Sequence, residues 1–157
     1  MNEFGFDAFG GWDDEPALCA GVVVRHWRST VVKYSPWDAM PADDVLGNMR
    51  RVLSELLNDA RDIDHQARRV RMLAAAHEHG VFRRAQRCSS EHIYCEFGLV
   101  LDALASVLYR GGVCGDLVQN ALTILDPDVR LAEHAAMIGW NHMISSGRLD
   151  RQAPLSD

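Results

Sequence analysis

Apolar residues recur along this chain at intervals of three and four, the spacing that lines one face of an α-helix. Pro16 stands where a first helical residue would. The run to about Lys33 then carries Leu18, Val22, Val23, Trp27 and Val31 on one side. The segment YSPWDAMP interrupts it, and Pro41 opens a second helix with Asp43 and Asp44 in its first turn, where acids are favoured. Val45, Met49, Val52, Leu53, Leu56 and Leu57 form its apolar stripe. A third helix is expected over about 63–86, with Ile63, Ala67, Val70, Ala74, His77 and Val81 inward and a kink at Gly80. Ser89 or Ser90 caps a fourth helix that runs to the Gly111-Gly112 stop. A fifth, about 113–125, places Val113, Leu117, Ala121 and Ile124 together. Asp126-Pro127 signals the start of a sixth, with Leu131, Ala135, Ile138 and His142 on one stripe until Gly147. Six helical patterns with short joins predict an all-α fold, either a helical bundle or a globin-like domain, over residues 16–147. Residues 148–157 read as a polar tail.

One position breaks the pattern. In the fourth helix Ile93, Phe97, Val100, Leu101, Leu104, Val107 and Leu108 are apolar, and Glu96 falls inside their arc. A carboxylate among aliphatic neighbours needs a donor. The nearest lie just upstream, where His79, Arg83 and Gln86 share one face of the third helix. A polar contact across the helical hairpin is therefore expected. It either fixes the register of the hairpin or has two arrangements that relay a signal.

Composition narrows the function classes. The 157 residues carry a net charge of −6. Glu3, Asp7, Asp13, Asp14 and Glu15 supply −5 of it, which leaves −1 for the rest. A nearly neutral body lacks the dominant basic surface of a nucleic-acid binder. The arginines Arg68, Arg69, Arg71, Arg83, Arg84 and Arg87 do not fall on one stripe, and most are read as a solvated face. No run approaches 18 uninterrupted apolar residues, so no transmembrane helix is expected. The acidic N-terminus also lacks the layout of a secretory signal, so the cytoplasm is the expected compartment. Residues 1–15 contain Phe4, Phe6, Phe9 and Trp12 among these acids and are expected to be a flexible segment able to dock as a short linear motif. Cys19, Cys88, Cys95 and Cys114 show no CxxC spacing and read as reduced thiols. Cys88, beside arginines, is a candidate for a lowered pKa.

No nucleophile elbow, phosphate loop or dinucleotide fingerprint is present, so the chain does not read as an enzyme. It has no Glu-x-x-His pair of the kind that builds bundle metal sites, and no metal site is expected. His92 and Glu96, four apart, could form a ligand pair or a hydrogen bond. His77, on the apolar stripe, is the candidate haem ligand if the domain is a haem- or small-ligand-binding globin-type sensor. His134 and His142 lie on the last helix as possible pH-responsive groups.

Trp27, the run His79-Gly80-Val81-Phe82-Arg83, Gln86 and Glu96-Phe97 together resemble the N-terminal sensory domain of RsbR-type stressosome proteins, a module also found fused to bacterial histidine kinases. The spacing agrees without a gap from His79 to Phe97, and the helix order agrees from about residue 17 to 145. The resemblance implies a dimeric, non-haem, globin-like sensor or docking domain in stress signalling. Two departures bear on it. Arg87 stands where the family usually has glycine after the Gln, so the turn between the two helices is expected to differ. The STAS domain or kinase that usually follows is absent, so output is expected through a separate effector partner of that kind, or the chain is a truncated sensor. In a homodimer, Trp27 and Trp140 on the first and last helices are the candidate contacts, because large aromatics are costly to leave wet.

Overall fold

The computed structural model describes residues 16–33, 46–57 and 64–149, with side chains over 20–33, 46–57 and 64–142. Among the described residues the fold is an all-α bundle of five helices: α1 (Pro16–Val31), α2 (Met49–Leu57), α3 (His65–Ala85), α4 (Ser90–Arg110) and α5 (Gly115–Leu149). The expected Pro41 start and the aromatic N-terminal segment with Phe4, Phe6, Phe9 and Trp12 lie outside the described residues. Helix α3 packs most extensively on α5. The hairpin partner α4 also lies against α5, α2 covers α3, and α1 bridges α2 and α4. The shared core is built on Trp27, Met49, Leu53, Met72, Ile93 and Phe97.

Helices α1, α2 and α4 bury the predicted stripes. Val23, Trp27 and Val31 of α1, Met49, Val52, Leu53 and Leu56 of α2, and Ile93, Phe97, Val100 and Leu104 of α4 are all in the core. Helices α3 and α5 do not. In α3 the inward residues are Arg68, Met72, Ala75, Ala76, His79, Gly80 and Arg83, whereas Val70 is 56% exposed and Ala74 is also outside. The helix thus turns a polar-containing face inward, because that face carries the partners of Glu96. Arg68 is not on a solvated face. Its Nη1 donates to the carbonyls of Glu55 (3.2 Å) and Leu56 (3.1 Å), the open C-terminal carbonyls of α2.

The two expected C-terminal helices are one. Pro127 sits inside α5 rather than opening a helix. Its missing N–H leaves the carbonyl of Thr123 without its intrahelical donor, but Thr123 and Pro127 both face solvent, where water can serve that carbonyl. Val118, Leu125, Val129, Ala132 and Ala136 hold the helix to the core on both sides of the proline. The residues expected to face inward, Leu117, Ile124, Leu131 and Ile138, are instead the exposed ones.

Gly80 lies within the unbroken span of α3. It lets two backbones touch. A methyl group on Gly80 would lie 1.8 Å from the Ala136 carbonyl oxygen, and one on Gly139 would lie 2.1 Å from the His77 oxygen. This contact fixes α3 against α5 beside His79.

The turn from α3 to α4 keeps the conformation glycine would favour, without the glycine. Arg87 adopts φ 62°. The Cys88 N–H donates to the Arg83 carbonyl (3.0 Å) and the Arg87 N–H to that of Arg84 (2.9 Å), a Schellman closure. The same pair of bonds ends α4, from Val113 to Leu108 and from Gly112 to Tyr109, and there the left-handed position is Gly112 at φ 81°.

Candidate functional site

Glu96 projects from the first half of α4 toward α3 and is completely buried, as are His79 and Arg83. Its Oε2 lies 2.8 Å from His79 Nε2. A carboxylate oxygen can only accept, so Nε2 carries the hydrogen of this bond. Its Oε1 accepts from Arg83 Nε at 2.8 Å and lies 2.5 Å from Nη2. Arg83 Nη1 in turn donates to Gln86 Oε1 at 2.7 Å. His79 and Arg83, the donors expected for Glu96, therefore meet it across the hairpin, and Gln86 joins them through Arg83 on the α3 side. Their spacing explains it, since 79, 83 and 86 repeat at helical intervals and the short turn folds α4 back over them.

Three more elements close the site. The indole of Trp27 in α1 donates to the backbone carbonyl of Glu96 at 2.8 Å, so a core aromatic and the buried acid share one residue of α4. Phe97 meets the His79 ring edge-on, with centroids 6.1 Å apart. Gly47, at φ 46°, passes so near that a side chain there would reach 3.1 Å from His79 Nδ1 and 3.0 Å from Phe82. Nδ1 itself is buried and has no hydrogen-bond partner among the described residues. The roles of Trp27 and Gly47 had no signal in helical periodicity, because both reach the site from distant parts of the sequence.

Several expected roles change. Trp27 has no exposed surface to offer a dimer partner. Trp140 is half-buried, with its N–H on the Cys88 carbonyl (2.9 Å) and the Arg84 guanidinium 4.5 Å above its ring. His92 turns back to the start of its own helix, where Nδ1 accepts from the Ser89 N–H at 3.0 Å. It therefore makes no ligand pair with Glu96. Burial pushes the Cys88 thiol above its usual range. Arg83 pulls it back only in part, and Glu96 pushes the same way as burial. A low-pKa redox thiol does not fit that setting. His77 is half-buried, with its ring edge-on to that of His142 at 5.6 Å.

The buried network is closed to solvent. An open groove of about 450 Å³ lies elsewhere, between α1 and α4, lined by Val22, Arg25, His26 and Arg110 among others. The Glu96 network is suited to join helices rather than to receive a ligand. No family model, no curated protein and no solved structure matches the chain.

Proposed function

We propose that this chain is a non-catalytic regulatory domain of bacterial stress signalling, globin-like in fold, that works in the cytoplasm as a homodimer and acts through a separate effector. The observation that carries the proposal is Glu96 itself, fully buried and gripped by α3 through His79 and Arg83 and by α1 through Trp27. Burying three polar side chains to join helices adds little stability over an apolar core of equal volume, since desolvation offsets the attraction. What such a contact offers is discrete geometry, so that α3 and α4 meet in one defined register and any other register must break it. That is the property a relay element needs.

The resemblance of Trp27, His79–Arg83, Gln86 and Glu96-Phe97 to RsbR-type sensors supports the same assignment and gives the effector its class, a STAS-domain protein or a kinase. The test is affinity capture of the full chain from an extract of its source cells, beside a Glu96→Gln variant shown to be folded. A STAS protein or kinase held by the wild type and released by the variant supports both the class of function and the relay. Failure of a folded wild type to hold either class would remove the signalling assignment.

A further inference from the structure

Helix α5 carries two apolar faces, and among the described residues only one of them is covered. The inward face is Val118, Leu125, Val129, Ala132 and Ala136. The outward face is Leu117, Ile124, Leu131 and Ile138, exposed by 46, 45, 42 and 43% and spaced seven residues apart. Half-buried Ala121 and Ala135 interleave with them, so the apolar positions alternate by four and three along most of the helix. This is the heptad spacing of one helix laid along another. Asp128 is the one charge in the series, and it is turned into the chain against Arg69 at 2.7 Å.

We propose that this stripe of α5 packs against the same stripe of a second copy of the chain. The inference rests on the homodimer of the preceding subsection and gives it a seam. Two observations favour a second copy over another occupant. The exposed residues beside the stripe, Asn120, Pro127, His134 and Asn141, include no acid, lysine or arginine, and nearby Arg130 is paired with Asp126 at 3.3 Å. A rim of this kind neither selects a partner of opposite charge nor repels its own copy. The stripe is self-complementary by its repeat, as a two-fold interface requires.

The stripe alone is too small to be the whole interface. From Leu117 to Ile138 the stripe is about 31 Å long and one helix diameter, roughly 10 Å, wide. That gives on the order of 300 Å² per copy, short of the roughly 800 Å² per partner in a stable interface. More apolar surface is exposed on α4, which packs against α5. An 18-residue window there has a mean hydropathy of 1.3 with only a third of it buried, and Tyr94 and Tyr109 are half exposed. The Tyr109 hydroxyl lies beside Gly115, two residues from the start of the stripe.

The experiment is light scattering on the full chain, wild type against an Ile124→Glu/Leu131→Glu double variant, with helicity and melting followed in parallel. Both substitutions lie on an exposed face and leave the core intact. The expected result is a dimeric wild type and a folded, monomeric variant. In a Cys114→Ser background, a cysteine introduced on the stripe (Leu131→Cys or Ile124→Cys) is expected to yield an oxidised dimer. This readout also decides the matter if the double variant fails to fold. A wild-type dimer that the double variant leaves intact, or that neither cysteine cross-links, would place the seam elsewhere while the homodimer stands. A wild type that is monomeric throughout would remove the homodimer and this seam together. Binding of a monomeric wild type to vesicles of phosphatidylcholine and phosphatidylglycerol would overturn the proposal in favour of a lipid surface.

Discussion

Gly80 and Ala136 meet backbone to backbone: a side-chain carbon on Gly80 would sit 1.8 Å from the Ala136 carbonyl oxygen. No rotamer can relieve that overlap, so α3 and α5 must separate to admit it. Gly80→Ala is expected to lower stability by at least about 3 kcal/mol. Gly139→Ala, which meets the His77 carbonyl, should behave alike. Chemical denaturation checks both, and a midpoint near that of the wild type would mean that the helices do not cross this closely.

Removing the acid of the buried network strands two donors. With His79, Arg83 and Glu96 all without solvent contact, Glu96→Ala is expected to destabilise by about 3–5 kcal/mol. Glu96→Gln should cost less, because the amide oxygen can still accept one bond. Urea unfolding of the two variants in parallel gives the order, and equal losses would mean that bulk rather than polarity holds the site.

Arg87 stands in the left-handed region at the close of α3, where Gly112 stands at the close of α4. A non-glycine residue there costs roughly 1–2 kcal/mol, partly offset by the greater freedom of glycine in the unfolded chain. Arg87→Gly is expected to raise stability by about 0.5–1 kcal/mol. The measurement is a thermal melt at matched pH and salt.

Cys88 and Cys114 should differ sharply toward an alkylating reagent. Cys88 is buried and its thiol is pushed above the usual range, whereas Cys114 is exposed. At mildly alkaline pH, iodoacetamide is expected to modify Cys114 quickly and Cys88 only as the protein opens. Peptide mapping over time follows each thiol. Comparable rates at the two sites would contradict the burial of Cys88.

Glu133 of α5 gives a pH dependence of known sign. Burial raises its carboxyl above the ordinary 4.5, Arg130 lowers it in part, and Asp126 adds to the rise. The folded state then holds this proton more tightly than the unfolded one, so its contribution is lost as pH rises from 4.5 through the folded value. Glu133→Gln should therefore be the more stable protein above that window and converge with the wild type below it. Melting temperatures across mildly acidic pH test the convergence, and parallel profiles would count against it.

The α-only class, the spans of α1, α3 and α4 and the partners of Glu96 were legible in the sequence because each rests on local spacing, whereas the second helix, expected from Pro41, begins only at Met49 after a turn at Gly47. The inward faces of α3 and α5 were not legible. On α5 two apolar stripes compete, Val118–Ala136 against Leu117–Ile138, and periodicity does not say which one the rest of the chain covers. On α3 the buried side contains Arg68, His79 and Arg83, so a search for apolar residues selects the wrong face. Pro127 reads as a start signal from local preference, but core contacts on both sides keep the helix continuous.

Glu96 is held at both of its ends, the carboxylate by α3 and the carbonyl by the indole of Trp27 in α1. A slide of α3 along its axis, or a twist of α4 about its own, therefore pulls on α1 through a single amino acid. The hairpin and α1 are thus joined through hydrogen bonds to one residue of α4, and not through the packing of aliphatic side chains alone.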